Sequence, residues 1–294
     1  MLDFHVPSHI EQVPVKEFLR KAGLSLTLRR KIKHHGSICA NNQPRAWTDQ
    51  LYGGEHVRVT WPASCKVNPI PLELQIAYED EAILIIDKPA GLMTHPTAKK
   101  ESITLANAVL HHYQSTGQSF GFHPVHRLDR QTSGLILIAK NAYYHNCLAK
   151  DGLKTINRDY LAIVTGVPTP EKGTIRSPIA RKPGSIIERI VSPEGQSAIT
   201  DYNTLASHID ASVLQITLHT GRTHQIRVHF AAMGHPLFGD DLYGGSTNLI
   251  ARAALHSAKL SFLHPVTNQP LTIKSALPSD MQSVMNHFGL SAKL

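Results

Sequence analysis

A mixed α+β protein is what this sequence predicts: a large body on a mostly antiparallel sheet with flanking helices, preceded by a small α+β unit. Two observations carry the prediction. Short apolar runs of strand length, some alternating and some continuous, are interspersed with a few stretches of helical period. A break at residues 62–72 (PASCKVNPIPL), with three prolines and no periodicity, reads as a linker between residues 1–61 and residues 73–294. With 294 residues, of which 41% are hydrophobic, the chain is long enough for one large core and one small one.

In the first unit, VKEFLRKA places Val15, Phe18, Leu19 and Ala22 on one helical face. SLTLRRKIKHH, from Ser25 to His35, predicts a second helix capped by Ser25 or Thr27 and stopped by Gly36. Residues 37–41 and 56–61 (HVRVTW) read as short strands. In the second unit, AILII (82–86) is a buried strand, and Leu105–Tyr113 is a helix. GLILIAK (134–140), YLAIV (160–164), VLQITL (213–218) and residues 271–274 are further strands. QIRVHFAAM (225–233) is a helix ended by Gly234 and Pro236. There is no internal repeat and no low-complexity tract.

Lysine and arginine outnumber aspartate and glutamate by 30 to 22, a formal charge of +8, which suggests an anionic partner, nucleic acid before membrane surface. Arg29, Arg30, Lys31 and Lys33 cluster on the second helix, where RNA contact and a solvated helix face are equally good readings. The three cysteines, Cys39, Cys65 and Cys147, form no CxxC pair, so neither a disulfide framework nor a thiolate zinc site is expected. The N-terminus lacks the basic-then-apolar pattern of a signal peptide, and no apolar run approaches the ~20 residues of a membrane span. The expectation is a soluble cytoplasmic protein, monomeric by default.

Three stretches concentrate chemistry. HPVHRLDRQTSGLILIAK (123–140) joins a charged loop to a core strand, an arrangement that holds side chains rigidly at a cleft. Arg127 and Arg130 flank Asp129 and favour its ionised form, although a salt-bridged surface loop accounts for the same residues. LHTGRTHQIRVHF, beginning at Leu218, sets Arg222, Thr223, His224 and Arg227 around a turn and a helix start, ready for an anion or a carboxylate. IDKPAGLMTHP (86–96) ends a strand in a proline–glycine turn, from which Lys88 is placed to reach a phosphate unless it is an ordinary exposed turn lysine.

These stretches resemble the RluA-type family of RNA pseudouridine synthases: EDEAILIIDKPAGLMTHP its first motif, HRLDRQTSGLILIAK its catalytic motif, RDYLAIVTG its tyrosine strand and TGRTHQIRVHFAAMGHPLFGDDLYG its arginine motif. ARAALHSAKLSFLHP resembles its C-terminal signature, so the likeness runs from residue 73 to about 280. The resemblance implies a central RNA-binding cleft and isomerisation of uridine to pseudouridine in ribosomal or transfer RNA, with base flipping. That reaction has no net redox change and implies no cofactor. Asp129 matches the catalytic aspartate, acting as nucleophile, base or electrostatic stabiliser. Tyr160 matches the tyrosine that stacks on the base, and Arg227 the arginine that pairs with the aspartate. Leu218 is expected to wall the base, and Arg127 to fill the space that the flipped nucleotide leaves. His126, Arg130, Lys88, Arg222 and His224 are expected RNA contacts. Where the family usually carries lysine two residues before the tyrosine, this chain has Arg158, which keeps the charge and changes its geometry.

The first unit, through SLTLRRKIKHHGSICANNQ and GGEHVRVTW, resembles the small RNA-binding domain shared by a ribosomal small-subunit protein and several RNA-modifying enzymes. A non-catalytic RNA-binding or assembly factor would keep that unit but has no need of Asp129, Tyr160 and Arg227 together. A metallohydrolase is suggested by the 19 histidines, but no HExxH or carboxylate-rich ligand set accompanies them, so no metal is expected. Those histidines read as RNA-facing donors or packed polar groups.

Overall fold

A computed structural model describes residues 1–62, 67–96 and 103–292; Cys65 and part of the 62–72 break lie outside the described residues. The chain runs β1 (Leu2–His5), β2 (Gln12–Pro14), α1 (Val15–Lys21), α2 (Leu26–His35), β3 (Ser37–Ala40), β4 (Gln43–Pro44), β5 (Gln50–Tyr52) and β6 (His56–Thr60). It continues with β7 (Ile76–Glu79), β8 (Ile83–Lys88), α3 (Leu105–Ser115), β9 (His123–Pro124), β10 (Ser133–Ala139), α4 (Ala142–Ala149) and β11 (Asn157–Thr165). Then follow β12 (Lys172–Ile175), β13 (Ile179–Arg181), β14 (Arg189–Val191), β15 (Thr200–His208), β16 (Ala211–Leu218), α5 (Gln225–Ala232), β17 (Leu255–Leu263), β18 (Pro270–Lys274) and α6 (Ser279–His287). Among the described residues no helix is long and apolar enough to cross a membrane.

The first eight elements form a four-stranded sheet, β1-β6-β3-β4, and a small β2–β5 pair, with α1 and α2. Ser25 caps α2 by accepting the Leu28 N–H, and Gly36 follows its last residue. Val15, Phe18 and Leu19 of the predicted face are buried in the core, Ala22 packs against it partly buried, and Leu28 and Ile32 of α2 complete it. This core continues onto α4. The Phe4 and Tyr143 rings meet edge to face at 5.8 Å. The Tyr143 hydroxyl donates to the Ala22 carbonyl at 3.2 Å, and Asn146 donates to the Gly23 carbonyl at 3.4 Å.

The larger body is a mixed α+β structure on one ten-stranded, mostly antiparallel sheet. Alternate side chains go to opposite faces. Leu84, Ile86, Ile136, Ile138, Ala162 and Val164 pack beneath α3 and α5, while Ile83, Ile85, Leu135, Leu137, Leu161 and Ile163 pack toward α4 and α6. Burial on both faces is why AILII and GLILIA read as continuous apolar runs rather than alternating ones.

The sheet is two antiparallel halves. One holds β7, β8, β10 and β9, the other β12, β15, β16, β11, β17 and β18. The halves meet where β10 and β17 run parallel, at the pairs Ser133↔His256 and Gly134↔Ser257. At this seam the backbones come so close that a Cβ on Gly134 would collide with the Ser257 backbone, and Gly134 also has φ +106°. Only glycine meets both demands without strain. Gly134→Ala is therefore expected to cost at least about 2 kcal/mol from backbone strain and overpacking together. Urea unfolding tests this: an unchanged midpoint would show that the seam is looser than described.

Candidate active site

The two halves of the sheet supply opposite walls of a cleft of about 340 Å³ lined by Asp129, Tyr160, Leu218, Arg222, His224 and Arg227. Asp129 belongs to the loop between β9 and β10. Leu128 points inward at 5% exposure, and its carbonyl accepts the Thr94 hydroxyl at 2.9 Å. Arg130 and Gly91 bond reciprocally: Gly91 N–H donates to the Arg130 carbonyl at 2.7 Å, and Arg130 Nε donates back to the Gly91 carbonyl at 3.1 Å. Thr132 N–H closes a turn onto the Asp129 carbonyl. Anchored on both sides, Asp129 faces the cleft with 25% of its side chain exposed, while Arg127 and Arg130 point to solvent. Arg127 lines the cleft and Arg130 does not.

Lys88, which the sequence suggests as an RNA contact, is structural instead. Lys88 is fully buried, its Nζ donating to the carbonyls of Pro89 (2.9 Å) and Leu92 (2.8 Å). It shapes the turn that holds Arg130 and cannot reach a phosphate. Burial lowers its pKa to about 7, a fall that nearby Asp129 opposes. His126 is 5% exposed, and its Nε2 accepts the Leu137 N–H at 3.2 Å. Burial pushes this imidazole down to about 3, so it is neutral, and it lines the inner wall of the cleft. For Lys88, its place in a charged motif conceals that the side chain follows the sheet into the core.

The opposite wall is built on β11, β16 and α5. A register shift between Asp159 and Tyr160 in the β11–β17 pairing interrupts the ladder where Tyr160 enters the cleft, as bulges beside sites do. Tyr160 is 4% exposed, and burial raises its pKa, so its hydroxyl stays protonated. Arg158 is also buried and donates to the Leu218 carbonyl at 3.1 Å, which ties the strand two residues before the tyrosine to the apolar wall. His224 has left-handed backbone (φ 58°), and its Nδ1 lies 2.8 Å from the Tyr243 hydroxyl. Burial lowers its pKa, partly countered by Asp129, whose Oδ2 is 4.0 Å from His224 Nε2. Arg222 is exposed at the rim and donates to the Ser197 carbonyl.

Arg227 has a different principal partner from the one expected. Its Nε and Nη2 bind the buried Asp240 carboxylate bidentately at 2.7 and 2.6 Å. Asp129 is reached only by Nη1, at 3.8 Å, a charge contact longer than a hydrogen bond. The guanidinium also stacks over the Tyr243 ring at 5.0 Å. Asp240 and Tyr243 are the contributions that sequence reasoning missed. The available signal was GDDLYG, a carboxylate in a tight glycine turn 13 residues after the arginine.

On α2 the four cations do not act as one patch. Arg29, Arg30 and Lys33 line a hollow of about 300 Å³ with Lys16 and Trp47. Lys31 is close enough to His123 of the larger body to help depress that imidazole to about 4, burial being the main cause. Among the described residues no three His, Cys, Asp or Glu side chains converge as metal ligands. The arrangement is a partly exposed carboxylate beside a guanidinium anchored on Asp240, over a buried phenol and an apolar wall, with cations at the rim. It suits a planar ring attached to an anionic chain.

Comparison with known proteins agrees with that chemistry. The family profile described as RNA pseudouridylate synthase matches residues 82–232. RNA pseudouridine synthase YjbO of Bacillus subtilis is 40% identical over 280 residues, covering 92% of this chain and 98% of that one. Ribosomal large subunit pseudouridine synthase D of Neisseria meningitidis is 36% identical over 276 residues, covering 88% of this chain and 74% of that one. The solved structure of human RNA pseudouridylate synthase domain containing 4 shares the fold, with a TM-score of 0.61 at 21% identity over 74% of this chain and 94% of that one.

The buried Arg227–Asp240 pair makes its own prediction. Asp240→Asn leaves the guanidinium inside without a counter-charge and is expected to cost about 3–5 kcal/mol in urea unfolding. The double variant Arg227→Met/Asp240→Leu should recover much of that loss. A single variant as stable as the parent would mean that solvent already reaches the pair.

Proposed function

The chain belongs to the RluA-type family of RNA pseudouridine synthases, and from that membership we propose that its cleft isomerises uridines of ribosomal RNA with Asp129 as the reacting carboxylate. The observation that carries the reading is the convergence of Asp129 with Arg227 (3.8 Å) and His224 (4.0 Å) above Tyr160. The names of the relatives that act on the ribosomal large subunit support the choice of RNA.

In the reaction the N1–C1′ bond of uridine breaks, the C5–C1′ bond forms, the C5 proton leaves and N1 gains a proton. Atoms and electrons balance within the nucleotide and water. The glycosidic bond is inaccessible in a stacked helix, so the uridine must first leave the stack. Arg127, exposed at the rim, is suited to take the space it vacates. Leu218 and Tyr160 offer an apolar wall and a ring face to the base. As the N1–C1′ bond breaks, C1′ becomes electron-poor, and the Asp129 carboxylate is the anion placed to meet it. Arg227 is held by Asp240 through Nε and Nη2, which leaves Nη1 to orient and stabilise Asp129 without locking it in a bidentate pair. Binding energy comes chiefly from phosphates, through Arg222 at the rim and through Arg29, Arg30 and Lys33 on α2.

Two measurements test this reading. Asp129→Asn preserves shape and removes the charge, so tritium release from 5-tritiated uridine RNA should fall by several orders of magnitude. Affinity on the same preparations should change by no more than about twofold, since phosphate contacts remain. Release at the parent rate would remove Asp129 from the chemistry. Separately, replacing Arg29, Arg30 and Lys33 with glutamine should flatten the log–log salt dependence of binding by about 2–3, near 0.7–0.9 per lost phosphate contact. An unchanged slope would place the RNA elsewhere.

A further inference from the structure

The seam between the two half-sheets is crossed by a buried polar chain that runs directly behind the cleft lining, with the Ser133 hydroxyl 3.5 Å from the carbonyl of Leu255, a lining residue. Ser133, on β10, lies with its Oγ 3.0 Å from His256 Nδ1. His256, on β17, has Nε2 3.0 Å from the Ser275 Oγ just past β18. The Ser275 hydroxyl donates to Asp87 on β8. Ser133 and Asp87 belong to the half that carries Asp129; His256 and Ser275 belong to the half that carries Tyr160 and Arg227.

The direction of the chain follows from its ends. A carboxylate accepts more strongly than a neutral carbonyl, so the Ser275 proton goes to Asp87. Ser275 then accepts from His256 Nε2–H, which leaves Nδ1 bare to accept the Ser133 hydroxyl. The imidazole is 1% exposed, and burial lowers its pKa to about 4, consistent with one neutral tautomer. Arg252 adds a second tie across the same seam, donating to the Gln131 carbonyl at 3.4 Å while Asp280 holds its other nitrogens at 2.6 and 2.8 Å.

We propose that His256 is a positioning residue: through Ser133 it fixes the gap between the two walls, and thereby where Asp129 stands relative to Tyr160 and Arg227. The backbone ladder at the seam is only two pairs long, so it resists sliding and splaying weakly. Ser133 begins the strand directly after the loop of Asp129, and the turn closed by Thr132 transmits any shift within a few bonds. The proposal rests on Asp129 being the reacting carboxylate.

Two near-isosteric variants separate the links. His256→Asn keeps an acceptor near the Nδ1 position and so the tie to Ser133; His256→Gln keeps a donor near Nε2 and so only the tie to Ser275, within its own half. His256→Gln and Ser133→Ala are expected to lower kcat about 10–100-fold, the scale of an ångström-sized misplacement, with KM for RNA within about twofold. His256→Asn should retain most of the activity, and the double variant Ser133→Ala/His256→Gln should be no worse than either single one. Val284→Ala on α6, away from the seam, gives the effect of lost stability alone. The proposal is overturned if Ser133→Ala, the mildest change, keeps the parent kcat, if losses follow melting temperature as they do for Val284→Ala, or if only KM moves. Asp129→Asn run in parallel separates the two readings. Parent activity there sinks the proposed function, whereas an inactive Asp129→Asn beside a normal Ser133→Ala sinks only the role of His256.

Discussion

The architecture depends on one narrow backbone contact, the parallel pairing of Ser133 and Gly134 with His256 and Ser257. Each half-sheet is antiparallel and buried on both faces, and each has its own helices and its own continuous apolar strands. What neither half has alone is a site. The loop before β10 brings a carboxylate; β11, β16 and α5 bring a phenol, an apolar wall and a guanidinium. The groups proposed to react face one another because β10 and β17 approach closely enough to exclude a side chain at Gly134. Close approach leaves the cleft narrow, and the bulge at Tyr160 turns one wall into it.

The electrostatics of the cleft are arranged in layers. Asp240 neutralises most of Arg227 from behind, and Tyr243 covers its flat face, so the cation is fixed before Asp129 is considered. A guanidinium held bidentately by Asp129 itself would bury the carboxylate in a strong ion pair and hide it from substrate. Splitting the arginine between a buried partner and a more exposed one leaves the Asp129 side chain oriented and available. Lys88, buried behind the neighbouring turn, is a second positive group whose placement follows from packing rather than from contact with solvent.

Much of this was legible in the sequence, for reasons that differ from one element to the next. AILII and GLILIA read as strands because burial on both faces leaves only apolar residues, and α2 was bounded by Ser25 and Gly36. Helix α4 was missed because only Leu148 is buried and its aromatics are divided, Tyr143 packing on the N-terminal unit and Tyr144 on its own core. Helix α6 did carry a signal, with Met281, Val284 and Met285 at helical spacing after Pro278. Strand β15 mixes half-exposed positions and shows little alternation. In the site, Asp129, Tyr160 and Arg227 were found through their motifs and do line one cleft. Lys88 was misread because a motif reports charge, not the direction in which a strand-end side chain points. Asp240 and His256 were passed over because their partners lie across turns and seams that no linear spacing reveals.

The edge-to-face contact of Phe4 with Tyr143 bears on evolution and engineering. In the sequence the N-terminal unit looks like a detachable cartridge, bounded by prolines and exchangeable among relatives. In the folded chain its hydrophobic core is completed by a helix that belongs to the other unit. A graft that moves residues 1–61 alone would carry half of a joint to a new host and leave the other half bare. Inheritance can shuffle such units as text only when the matching face of α4 travels with them.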